Sequence, residues 1–156
     1  MTGIFRAPYE CRIGYAAGSP MRLMRFDPPA GNGRVVGRAS LDGREACTCT
    51  ISVDSAHGVE WDITGWYVDE WARRQGIGRW ALASAMKEAV SRHGLPHAIR
   101  YIWNGENGYV LDWLERHFDA VCACPLAVRK ACPDDDRESH IYELDRDKVL
   151  GYFGIG

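Results

Sequence analysis

The sequence predicts an α/β fold: a mixed, largely antiparallel central sheet of about six to seven strands with helices packed on it, and few helices in the amino-terminal half. Three observations lead there. Apolar alternation of period two, broken by Gly, Pro and Asp-Gly turns, fills residues 21–68. A helical period replaces it from Gly76 to His93. Strand-like and helix-like segments then alternate, so the order is four strands, helix, strand, helix, two strands, which is not a doubly wound sheet. With 156 residues and 46% hydrophobic content, the chain suits one domain spanning 1–156.

Each element has its own signal. Segments 21–27 and 34–41 read as strands, separated by Pro28, Pro29 and the Gly31-Asn32-Gly33 turn. Asp42-Gly43 is a hairpin signal, and strand 45–53 follows with Cys47, Cys49, Ile51 and Val53 on one face. The turn Ser55 to Gly58 leads into 59–68, where Val59, Trp61 and Ile63 oppose Glu60, Asp62 and Thr64. The helix from Gly76 carries Ile77, Trp80, Ala81, Ala85, Ala89 and Val90, and Gly94 and Pro96 stop it. Segment 97–103 is a strand. Asn104 or Asn107 can cap a second helix with the face Val110, Trp113, Leu114 and His117. Strands 120–129 and 139–145 close the pattern.

Charge and cysteines narrow the function classes. A formal net charge of −2 argues against a dedicated nucleic-acid binder, although Arg73, Arg74 and Arg79 form a local cluster suited to phosphates. No apolar run approaches the ~20 residues needed to span a bilayer. The first twenty residues lack the apolar core of a secretion signal, so the expected location is cytoplasmic. Six cysteines fall at 11, 47, 49, 122, 124 and 132. Cys122, Cys124 and Cys132 with His117 or His140 would be the metal alternative. Zinc sites favour Cys-x-x-Cys loops, whereas Cys-x-Cys on a strand puts both thiols on one face. The thiols therefore read as small buried hydrophobes, and no metal is expected.

The informative segment runs from Val68 to Arg79. It joins a strand to a helix through Arg73, Arg74, Gln75, Gly76, Ile77 and Gly78. Glycines there let backbone N–H groups converge at the positive end of a helix, which suits a pyrophosphate. The bland reading is a tight turn on a closely packed helix. A Walker A loop would end Gly-Lys-Ser/Thr, and Gly78-Arg79-Trp80 does not. Gly76-x-Gly78-x-x-Ala81 fits the dinucleotide fingerprint, but it stands too far from Val68. The acidic residue expected about 20 positions on is also missing, since position 98 is Ala.

Arg73-x-x-Gly76-x-Gly78 after a strand ending at Val68 resembles the acyl-CoA signature of the GNAT superfamily of N-acetyltransferases. The resemblance spans roughly residues 59–118 and continues through Asn107 to the Trp113–Phe118 stretch. It implies acetyl-CoA as acyl-donor cosubstrate. Pantetheine would lie beside the main chain of Trp66, Tyr67 and Val68, with pyrophosphate on the N–H groups of Arg74 to Arg79. Asn107 or Asn104 would contact the pantetheine arm. The sequence departs from the family at three places. Trp113-Leu114 stands where a Tyr acid is common, His117 replaces a Gly, and the two helices between the first two strands have no clear counterpart.

Acyl transfer from a thioester to an amine needs a proton acceptor, a polarised carbonyl and a protonated leaving thiolate. Asp62 on the fourth strand is the expected general base, at the place where one branch of the family carries it; Glu60 is its same-face neighbour. The bland reading makes both solvated outer-face carboxylates. An N–H near Val68 would hold the oxyanion, and Tyr109 is the remaining candidate acid. Cys11, Cys47 and Cys49 lack an adjacent His or a helix start to activate them. Direct attack in a ternary complex is therefore expected. The partners are a coenzyme A thioester and an amine acceptor, with no membrane and with a homodimer left open. Two alternatives stand beside this reading: a noncatalytic CoA-fold interaction or regulatory module, and a modifier of an unusual acceptor such as a nucleobase or a protein.

Overall fold

The computed structural model describes residues 9–13, 22–26, 33–103, 108–123 and 140–155, and these fall into two compact units. The first takes in the chain up to Val53 together with Gly65–Gly94, and the second takes in Asp54–Thr64 with Leu95 onward.

In the first unit, β1 (Tyr9–Ile13), β2 (Arg22–Phe26), β3 (Arg34–Leu41) and β4 (Arg44–Asp54) pair antiparallel in chain order. Asp42 and Gly43 both take positive φ, 54° and 84°, the geometry a two-residue hairpin turn needs to match the strand twist. Opposed pairs Val35–Ile51, Gly37–Cys49 and Ala39–Cys47 build a buried face. Helix α1 (Ile77–His93) rests against β3 and β2. Its buried side differs from the expected stripe: Trp80 and Val90 are only half-buried, while Leu82 and Met86 are core. The row Ala81, Ala85, Ala89 lets the helix backbone approach closely, and Leu82 and Met86 fill the space on one flank. Gly94, at φ 88°, ends α1 with its N–H bonded to Val90 O at 2.8 Å.

Strand β5 (Glu60–Val68) begins in the second unit and ends in the first. Gly65, at φ 57°, marks the changeover. Before it the buried positions are Trp61 and Ile63; after it the better-covered ones are Trp66 and Val68. Alternation thus slips by one residue, as a glycine in the left-handed region of a bulged strand produces.

In the second unit, β5 runs parallel to β6 (Ala98–Trp103) from Glu60↔Ala98 to Ile63↔Tyr101. Beyond β6 lies β8 (His140–Leu144), antiparallel, and then β7 (Val121–Cys122). Helix α2 (Gly108–Phe118) packs against α3 (Arg146–Tyr152). Trp61, Ile63, Ile99, Leu114, Phe118 and Val149 form this core, each at most 1% exposed. Asp145 caps α3 by accepting from Lys148 N at 3.0 Å.

The four strands, helix, strand and helix expected from the sequence stand within a residue or two of their places. Of expected strand 120–129, Val121–Cys122 is strand, and residues from 124 to 129 fall outside the described ones. Two elements carry no sequence expectation, β1 and α3. Five and seven residues are too few to establish a period.

Candidate active site

The site is built from the end of β5 outward. Asp69 N–H bonds Ala46 O at 2.7 Å, which fixes where the strand ends. A single 3-10 turn, Glu70–Ala72, follows, with Ala72 fully buried beneath it. The chain then doubles back, and Arg73 Nε donates to Val68 O at 3.0 Å. The Arg73 guanidinium lies 5.7 Å from the centre of the Tyr67 ring. Arg73 thereby ties turn to strand, a bracing role the sequence does not announce.

Two residues of the turn occupy the left-handed region, Arg74 at φ 64° and Gly76 at φ 80°. For Arg74 that conformation costs about 1–2 kcal/mol, and such strain collects where geometry serves function. Gly76 is the N-cap of α1. No side chain caps this end, and no acidic residue sits in the first turn. The leading N–H groups of a helix have no intrahelical partners, so this end is suited to an anion.

The two glycines answer different demands. Gly76 has open space around it and is needed for its φ. Gly78 is needed for contact: a Cβ there would lie 2.8 Å from Val68 Cγ2. Trp66 Nε1 also donates to Gly78 O at 3.0 Å, clamping the first turn of α1 to β5. Trp66, Tyr67, Val68 and Arg73–Arg79 therefore converge within one unit.

The expected carboxylates lie in the other unit and are bound together by a residue outside the sequence expectation. Arg100, on β6, donates through Nε to Asp62 Oδ1 at 2.7 Å and through NH2 to Glu60 Oε2 at 3.3 Å. His97 Nε2 stands 3.5 Å from Glu60 Oε1. The Asp62 hydrogen bond, outweighing partial burial, pushes the Arg100 guanidinium above its already high value. Neither carboxylate is simply solvated, with side chains 25% and 33% exposed for Glu60 and Asp62. The available sequence signal was an Arg at the strand position aligned with Asp62.

Among the described thiols, Cys122 on β7 is half-buried and Cys47 and Cys49 belong to the core. Cys47 and Cys49 are free and buried. Burial first, and the Asp69 charge second, push Cys47 up to about 12. Cys49 rises well above the usual range for the same leading reason, with Cys47 second. A thiol so raised stays protonated at neutral pH and is a poor nucleophile. Asn104, Asn107, Cys124 and Cys132 fall outside the described residues. Tyr109 lies in the first turn of α2.

Residues 13–110 match the sequence profile of the Acetyltransferase (GNAT) family, well over half of the chain. The chain belongs to this family.

Solved GNAT-like structures share the fold. Naa50 of Arabidopsis thaliana, solved with the bisubstrate analogue CoA-Ac-MVNAL, is 11% identical over 69% of this chain and 70% of that one, at a TM-score of 0.52. RimL, a ribosomal L7/L12 alpha-N-protein acetyltransferase, is 13% identical over 71% and 68%, at 0.50. An uncharacterized protein from Bacillus halodurans is 7% identical, covers 93% and 94%, and scores 0.60. No curated protein matches at the sequence level. In this GNAT chain the two departures on α2 sit in an aromatic cluster. Trp113 packs edge-on against Phe118 and Tyr152, at 5.2 and 5.7 Å between centroids, and His117 lies 5.1 Å from Trp113.

Proposed function

We propose that this GNAT chain acts as one acyltransferase domain in the cytoplasm, moving an acetyl group from acetyl-CoA to an amine by direct attack in a ternary complex. The observation that carries the reading is the Val68–Gly78 turn. A strand end, a braced and strained turn, an uncapped helix start and exposed Arg74 and Arg79 side chains occur there together. That combination serves an extended ligand with a pyrophosphate in its middle.

In this reading the main chain of Trp66, Tyr67 and Val68 meets pantetheine, and the N–H groups of Arg74 to Arg79 take the pyrophosphate. Asn104 or Asn107 supports the pantetheine arm. Asp62 removes the amine proton, directly or through water, and an N–H near Val68 steadies the oxyanion. Tyr109 is the proposed acid for the departing thiolate. Such a thiolate, with an aqueous pKa of about 8.5, leaves tolerably without one.

Thiol release from acetyl-CoA over a panel of amines tests the activity. Asp62→Asn is expected to lower turnover by about 10²–10⁴-fold with little change in acetyl-CoA affinity, and Glu60→Gln by much less. Full activity in Asp62→Asn removes the assigned base. Binding of CoA without turnover on any amine would favour a noncatalytic CoA module, the reading that Trp113 at the usual place of the acid supports.

A further inference from the structure

We infer that Arg100 is a positioning residue for Asp62: anchored by Glu60, it grips one oxygen of Asp62 and leaves the other to receive the proton. The inference rests on the proposed base and deepens it, because the geometry separates two carboxylates that sequence alone treats alike.

Both oxygens of Glu60 face a nitrogen, Oε1 that of His97 at 3.5 Å and Oε2 that of Arg100 at 3.3 Å. Asp62 is held through Oδ1 alone, and its Oδ2 has no partner among the described residues. The side chain is one-third exposed, so that oxygen is open to water or substrate. A guanidinium is a planar fork. Using Nε for one carboxylate and NH2 for the other fixes its plane, and with it the direction of the Asp62 carboxylate.

The backing is also built. The His97 ring lies against Gly58, where a Cβ would fall 2.7 Å from it, and Gly58 holds φ 98°. His97 N–H bonds Val59 O at 2.8 Å, so both ends of this contact are pinned to the start of β5. Glu143, exposed on β8, stands in register with Arg100, whose charged partners are Asp62 and Glu60. Of the two carboxylates bound by Arg100, Asp62 is the one that keeps an oxygen to spare.

The test is a double-mutant cycle on amine acetylation by the full chain, with Arg100→Met, Asp62→Asn and both together. Arg100→Met is expected to lower kcat about 10²-fold, with KM for acetyl-CoA within twofold. In the Asp62→Asn background the same change is expected to cost nothing further, since Arg100 acts through the side chain already removed. Added guanidinium ion should restore part of the activity of Arg100→Ala and none of that of Asp62→Asn. Should Arg100→Met fail to fold, Arg100→Lys and Arg100→Gln replace it, lysine keeping the charge and losing the fork. Lys148→Met, which removes an exposed ion pair with Asp119, controls for loss of a surface charge. Additive losses, or a rise in KM alone, overturn the role of Arg100 while leaving Asp62 as base. Full activity in Asp62→Asn overturns the base and Arg100's role with it.

Discussion

Cys47 and Cys49 illustrate how far a single residue can be read. Their spacing put both on one strand face, and burial there makes them core hydrophobes that resist ionising. The consequence is an alkaline limit. Unfolded thiols ionise near 9.0, whereas folded Cys47 does so at about 12. Above pH 9 the unfolded chain therefore sheds protons that the folded chain keeps, and stability falls as pH rises. Each thiol contributes at most about 1.4 kcal/mol per pH unit to that slope. Urea unfolding at pH 8.5, 9.5 and 10.5 should show Cys47→Ala less stable at pH 8.5 but with a flatter slope. An unchanged slope would show that other groups set the alkaline limit. Arg100 is the converse case. Its identity was plain in the sequence, but its partners lie 38 and 40 positions away, and only pairing of β5 with β6 brings them near.

At the scale of elements, the β5–turn–α1 unit was legible because its demands are local. Gly76 supplies a left-handed φ and Gly78 a missing Cβ, and both needs leave a glycine in the sequence. What the glycines could not disclose was their difference. Gly78→Ala is expected to destabilise the fold by about 1–2 kcal/mol, as its methyl group meets Val68 Cγ2, offset partly by alanine's helix propensity. Val68→Ala should restore room, so the double variant should regain affinity for CoA lost in Gly78→Ala. Calorimetric titration with CoA checks this. Equal affinity in Gly78→Ala and the parent would mean that the turn yields easily. The α1 stripe is less legible, because periodicity locates an apolar helix but not which flank the sheet covers. Trp80, larger than Leu82 or Met86, was the more conspicuous residue and is the less buried one.

For the whole molecule, ligand linkage gives the broadest check. If the turn binds CoA, then CoA at a hundred times its Kd should add about 2.7 kcal/mol to stability. In a domain of this size that raises Tm by about 5–10 °C. Gly76→Asp, placing a carboxylate at the helix start, should lose the shift, while Gly43→Asp in the β3–β4 hairpin should keep it. A shift of equal size in both would place CoA elsewhere. By itself the sequence determined the order of strands and helices from 21 to 118, the glycine turn and the family, because periodicity, turn chemistry and a strand–turn–helix motif are properties of neighbouring residues. It also named Asp62 and Glu60 as a pair. Only the tertiary structure decided that Arg73 braces the turn, that Trp66 clamps Gly78, and that Arg100 holds Glu60 and Asp62 unequally. Each of these joins residues through a specific side-chain geometry, and such distances and directions exist only after the chain has folded.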